Sequence, residues 1–192
     1  MPARNDAALA FLKTRRSRPA KLFAFPVPSK AQVEEILTAA TRVPDHGKLE
    51  PWRLVVVQGK AFQRLADLAE ARARELGGDE EKIAKGRGQY DLGKLAVVVI
   101  ASPKPSPKIP AVEQVMSAAA MCLGIVNAAE AAGWGACWLT GWPAHDAEFA
   151  ARAFGCTGDE TVAGIVHFGT PPEDGPDRPR PDLSRIVTWV EA

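Results

Sequence analysis

Two short basic clusters carry most of the chemistry this sequence offers. Arg15-Arg16-Ser17 sets two fork-shaped cations beside a hydroxyl, just before Pro19 ends a helical pattern. Guanidinium forks, a hydroxyl and free backbone N–H groups are what a phosphate monoester requires. The plainer reading is that two arginines at a helix C-terminus complement its dipole. The second cluster is Arg42-Val43-Pro44-Asp45-His46-Gly47-Lys48-Leu49-Glu50-Pro51-Trp52, which crowds an arginine, a histidine, a lysine and carboxylates into one proline-bracketed loop. Read alone it is a solvated turn; paired with the first cluster it becomes a candidate binding loop.

Other chemistries find little support. Gly86-Arg87-Gly88 lacks the third glycine of a dinucleotide fingerprint and precedes a strand pattern instead of following one. No Walker A sequence or nucleophile elbow occurs. His46, His145 and His167 are not in metal spacing, so no metal is expected, and His167 within an apolar strand reads as a core or edge residue. Cys137 with His145 is a conceivable thiol and base, but apolar neighbours favour an inert, packed cysteine. What remains is phosphate-holding groups with little acid, base or nucleophile machinery, the profile of a protein whose cofactor performs the reaction.

Composition agrees. Lys+Arg 24 against Asp+Glu 23 leaves a net charge of +1, which gives no electrostatic case for nucleic acid or an anionic membrane, so an anion must be held by a local cluster. Cys122, Cys137 and Cys156 are odd in number and fit no disulfide framework. Nothing at Met1 resembles a signal peptide, and a cytoplasmic location is expected. The 192 residues suit one domain, 1–192.

The elements that must position these residues follow from pattern. A helix is expected from Asp6, as N-cap, through Leu9, Phe11 and Leu12 to Arg15-Arg16-Ser17. Ser29-Lys30-Ala31-Gln32 reads as a capping box opening a second helix that ends near Arg42, because Val43 precedes Pro44. Strands are expected at Trp52 to Val57, at the apolar run Leu95 to Ala101, at Trp134 to Leu139 leading to Thr140-Gly141, and at Val162 to Gly169. The charged stretch Gly77 to Gly93 shows little apolar periodicity and reads as a mobile helical excursion. Val112 to Ala132 is a helix apolar nearly all round, which demands enclosure in the fold or against another subunit. Interrupted by Ser117 and Asn127, it reads as falling short of the ~20 apolar residues of a membrane span. The Pro, Asp and Arg-rich tail from Asp174 to Asp182 leads to a last strand, Ile186 to Val190, suited to pairing on a neighbouring subunit.

Five segments in order, Arg15-Arg16-Ser17, Arg42 to His46 with Glu50-Pro51-Trp52, Glu113 to Ser117, Gly135 to Gly141 and Phe168 to Pro171, make the chain resemble the nitroreductase family of flavin enzymes, in its compact bacterial branch. The resemblance implies an α+β, nitroreductase-like fold, a mixed central sheet wrapped by helices, and an intertwined homodimer with two FMN sites at the interface. It implies that Arg15, Arg16 and Ser17 hold phosphate and ribityl groups, that Arg42 and His46 reach the flavin of the other subunit, and that Trp138, Leu139, Thr140 and Gly141 lie against the ring. Relatives carry an arginine where this chain has Leu139; Arg178 and Arg180 in the tail are expected to compensate. The implied activity is ping-pong hydride transfer from NADH or NADPH through FMN to a small electron-poor acceptor such as a nitroaromatic or quinone. The alternative is a flavin-binding or interaction protein with negligible turnover.

Overall fold

The computed structural model describes residues 3–172 and 177–191. Its centre is β2 (Leu95–Ala101), a run of Leu, Val, Ile and Ala in which every residue is buried. Such a strand needs cover on both faces, and helices on the two sides of the sheet supply it. Leu95, Val97 and Val99 face α2 (Lys30–Ala40) and α5 (Ala111–Ala131). Ala96, Val98 and Ile100 face α3 (Ala61–Glu75), α4 (Glu80–Asp91) and α7 (Ala147–Phe154).

Four strands in the order β1-β2-β4-β3 complete the sheet, with β1 at Trp52–Gln58, β3 at Gly135–Leu139 and β4 at Thr161–Gly169. The sheet is antiparallel at every pairing among the described residues, where a mixed one is expected from sequence. The reason lies in β4. β2 and β3, joined by the α5 crossover, run parallel to each other, but β4 inserts between them and pairs antiparallel with both.

Local signals set most boundaries. α1 (Asp6–Thr14) is capped by Asn5, whose side chain accepts from the Ala8 N–H, one residue earlier than the expected Asp6. The Ser29 capping box is present with both of its hydrogen bonds. Asp146 ends the short helix α6 (Trp142–His145) and caps α7, whose Phe149 N–H it accepts at 2.7 Å.

Three expectations change. The Gly77 to Gly93 stretch is helical over α4, as expected, but instead of standing off as an excursion it packs on α3, with Ile83 and Tyr90, seven residues apart, buried on one face. Residues 186–190 form no strand: a 3-10 turn at Leu183–Arg185 precedes them, and Trp189 and Val190 stand 85% and 91% exposed. Residues 173–176 of the tail, and Met1, lie outside the described residues. Finally, α5 is 21 residues long and by length and composition sufficient to cross a membrane. Here its Ala118, Met121, Cys122 and Ile125 face enters the core. Its other face leaves Val112, Val115, Met116 and Leu123 open at helical spacing, so only one side of α5 is enclosed.

Candidate functional site

α1 stops at Arg15, whose N–H still bonds the Phe11 carbonyl, and the chain leaves extended towards Pro19. The exit runs past the C-terminal end of α5, where Glu130 receives it. The Ser17 hydroxyl donates to Glu130 Oε1 at 3.4 Å, and Arg15 Nε lies 3.4 Å from Oε2. Burial pushes the Glu130 carboxyl up, against the opposing pull of Arg15, the Arg16 N–H, Ser17 and Arg18. Arg16 pairs with Asp177 at 3.7 Å. Arg15, Arg16, Ser17, Arg178 and Arg180 together line a cleft of about 580 Å³, and Arg180 donates to the Lys13 carbonyl at the end of α1. Four guanidinium groups and a hydroxyl thus line one cleft in a chain of net charge +1, the group types that a dianion such as a phosphate monoester requires.

The second part of the site lies where β3 leaves the sheet. Alternation sends Trp138 and Leu139 to opposite faces. Trp138 lies beside Gly164 and Cys122 on the α5 side, 39% exposed. Leu139 instead lines a cleft of about 540 Å³ against α4 and the turn after Pro19. The next two residues are held by α4: Gln89 Nε2 donates to the Thr140 carbonyl at 2.5 Å, and Gly141, at φ 88°, lets the amide close in, since a Cβ there would strike it. Trp142 Nε1 donates to the Lys82 carbonyl at 3.0 Å and fastens the same helix. His167 also lines this cleft. It is 2% exposed, its Nε2 has no partner, and burial pulls its pKa down to about 4, which keeps the ring neutral.

The Arg42 loop is built tightly and sits elsewhere. The Asp45 carboxylate accepts from the N–H groups of Leu49 and Glu50 at 3.1 and 2.9 Å, while Lys48 and Glu50 take left-handed backbone at φ 54° and 47°. Ser117 on α5 donates to the Pro44 carbonyl at 2.7 Å and accepts from Trp52 Nε1 at 3.1 Å. His46 Nδ1 meets Glu113 Oε2 at 2.8 Å, at the N-terminal end of α5. Arg42 lines its own cleft of about 480 Å³ with Asp45, Lys48 and Glu50.

The structure therefore assembles Arg15, Arg16, Ser17 and Arg180 in one cleft and Leu139 beside Thr140 and Gly141 at another, and sets Arg42 and His46 apart from both. Glu113 and Glu130, which anchor the two loops, are separated by about 25 Å of helix. Glu130, Gln89, Lys21 and Lys85 escape a reading of the sequence, because on a helix or turn pattern they look like solvated surface. The Cys137 thiol is pushed up by burial and accepts from the Ala20 N–H, unlike an activated nucleophile. Among the described residues no cluster of His, Cys, Asp and Glu is arranged to hold a metal ion.

Comparison with known proteins bears on the fold and the family. The family model described as "Nitroreductase family" matches residues 12–170. The Escherichia coli (strain K12) protein named "Putative NAD(P)H nitroreductase YdjA" is 34% identical over 164 residues, covering 85% of this chain and 88% of that one. A protein of Haemophilus influenzae named "Putative NAD(P)H nitroreductase" is 34% identical over 165 residues, again 85% and 88%. Among solved structures, a nitroreductase-like family protein from Bacillus cereus superposes with a TM-score of 0.79 over the whole of both chains at 22% identity. An FMN-dependent nitroreductase from Clostridium difficile reaches 0.70 over 94% of this chain and 98% of that one at 20% identity. With its fold and most of its length matched, the chain belongs to the nitroreductase family of oxidoreductases.

Proposed function

We propose that the protein is an FMN-dependent NAD(P)H oxidoreductase that works as a homodimer, with each flavin held by both subunits. The observation that carries this is the position of the two half-sites at opposite ends of α5. One chain holds the anion cleft at Glu130 and the Arg42 and His46 loop at Glu113, about 25 Å apart along the helix. Between them runs the exposed stripe of Val112, Val115, Met116 and Leu123. Two copies packed through this stripe with their α5 helices antiparallel bring the N-terminal end of one beside the C-terminal end of the other. The exposed Ile186, Trp189 and Val190 of the tail then find cover on the second copy.

FMN, when bound, would supply the redox chemistry, hydride transfer between NADH or NADPH and an electron-poor acceptor such as a nitroaromatic or quinone in ping-pong order. The chain's part is to hold and orient. Arg15, Arg16, Ser17 and Arg180 would hold the phosphate. Leu139, the Thr140 and Gly141 backbone and Gln89 would bound the ring, and Trp138 would stand on the α5 side. Arg42 and His46 would complete the neighbouring subunit's site. The Gln89 amide oxygen and His167 Nε2, both buried without partners, fit a ligand with a hydrogen-bonding edge. Free thiols at Cys122, Cys137 and Cys156 suit the cytoplasm as the proposed location.

The test is the absorption spectrum of the purified protein with added FMN, followed by bleaching with each nicotinamide under nitrogen. A protein that acquires no flavin bands overturns the proposal. Leu139, which leaves segment 138–141 without a cation, favours a second reading in which the protein binds flavin but turns over negligibly. That reading stands if FMN binds and neither nicotinamide is oxidised in the presence of nitro or quinone acceptors.

A further inference from the structure

Arg178 and Arg180, expected from sequence to replace the missing cation at position 139, line the anion cleft with Arg15 and Arg16 instead. Two other cations flank Leu139. Lys21, in the 3-10 turn after Pro19, and Lys85, on α4, share its cleft of about 540 Å³, whose lining among the described residues contains no carboxylate. Lys85 meets Glu81 at 2.6 Å one turn back on α4, but both side chains are about 70% exposed, and such a surface pair is a weak competitor for the ammonium.

The same cleft contains two unmet polar demands. The Thr140 carbonyl can only accept, so Gln89 must present its amide nitrogen there, and its Oε1 is left buried without a partner. His167 Nε2, on a residue 2% exposed, is likewise unpartnered. Buried orphans of this kind are rare in native folds, and two of them in one cleft mark a place built for a polar ligand edge. A flavin offers such an edge, with an N–H and two carbonyl groups on its heterocycle, and that edge gains negative charge on reduction.

We propose that Lys21 and Lys85 are the charge-compensating groups of the ring pocket and set the reduction potential of bound FMN, while Gln89 and His167 hold the ring's polar edge. This rests on the FMN reading above. An ammonium favours the reduced, more negative form over the oxidised one. At an effective dielectric near 20, one such charge is worth roughly tenfold across ~10 Å.

The experiment is the midpoint potential of the holoprotein, measured by equilibration with reference dyes under nitrogen. Lys21→Met and Lys85→Met should each weaken reduced relative to oxidised FMN about tenfold, a fall of about 30 mV for a two-electron couple, with oxidised FMN binding nearly unchanged. Lys85→Arg should retain the wild-type potential, and Leu139→Arg should restore it in the Lys85→Met background. Lys30→Met, at a lysine 90% exposed on α2, controls for net charge and should shift nothing. Unchanged potentials in both methionine variants of the cleft, an equal shift from Lys30→Met, or loss of oxidised FMN from Lys85→Met would each overturn the inference. A wild-type protein that binds no FMN overturns the cofactor reading itself and this inference with it, whereas a flavoprotein whose potential ignores both lysines refutes this inference alone.

Discussion

Leu123→Glu tests the shared site from a position that touches neither half of it. Leu123 lies in the middle of α5, 49% exposed, about 15 Å of helix from Glu113 and about 10 Å from Glu130. Its backbone helix and the core face at Met121 and Cys122 are untouched, so the single chain should keep its fold and its urea midpoint. In a two-fold seam the half of Leu123 still open to solvent is worth about 1 kcal/mol, counted twice. Burying a carboxylate from each copy in its place adds several kcal/mol more, for a total of at least about 5 kcal/mol. That corresponds to between three and four powers of ten in the dimer dissociation constant. Sedimentation velocity at micromolar protein should show a dimer for the wild type and a monomer for the variant, and FMN titration by fluorescence quenching should show affinity lost together with the dimer. A folded monomeric variant that binds FMN as tightly as the wild type refutes the shared site. A variant that stays dimeric refutes the α5 seam.

Further outcomes follow from single residues. Arg15→Ala should weaken FMN binding by about 1.5–3 kcal/mol, the worth of a charge-assisted hydrogen bond, and unchanged affinity by equilibrium dialysis would remove Arg15 from the site. His167 is neutral in the fold, with its pKa lowered from 6.5 to about 4 by burial, so below pH 6.5 the unfolded chain takes up a proton that the fold refuses. Stability of the apoprotein should be fully present above pH 6.5 and fall by roughly 3 kcal/mol as the pH drops towards 4. A His167→Gln variant should flatten that part of the urea-midpoint profile, and an identical slope in variant and wild type would contradict the assignment. The Tyr90 hydroxyl is buried without a partner, and burial pushes its pKa up. Tyr90→Phe should therefore be neutral or stabilising by up to about 1 kcal/mol, and a loss above ~2 kcal/mol in thermal or urea melts would show that the hydroxyl has a role in the fold.

Much of the architecture was legible because it is written in local rules. A β2 composed of Leu, Val, Ile and Ala admits one reading, the Ser29 box with Gln32 marks the residue at which its helix begins, and Pro19 and Pro44 stop helices wherever they fall. The basic clusters were visible for the same reason: the types that bind a phosphate are few, and here they are contiguous. The packing of α4 is not legible in the sequence because its buried face is only Ile83, Gly86 and Tyr90, too sparse to register as a period; the fold covers that face by setting Gly86 against Trp142 and Tyr90 against Phe149.

By itself, then, the sequence determined the four strands from β1 to β4, most helix boundaries and the family, since each depends on residue type and short spacing, whereas the strand expected at 186–190 has no partner to pair with among the described residues and does not form. Tertiary structure alone decided what stands beside what. It placed β4 between β2 and β3, and it put Arg178 and Arg180 with Arg15 while Lys21 and Lys85 went to Leu139. It also held the two loops at opposite ends of α5. These are contacts between residues tens of positions apart, and no local preference encodes them; they are settled by which faces must be buried together once the sheet has closed.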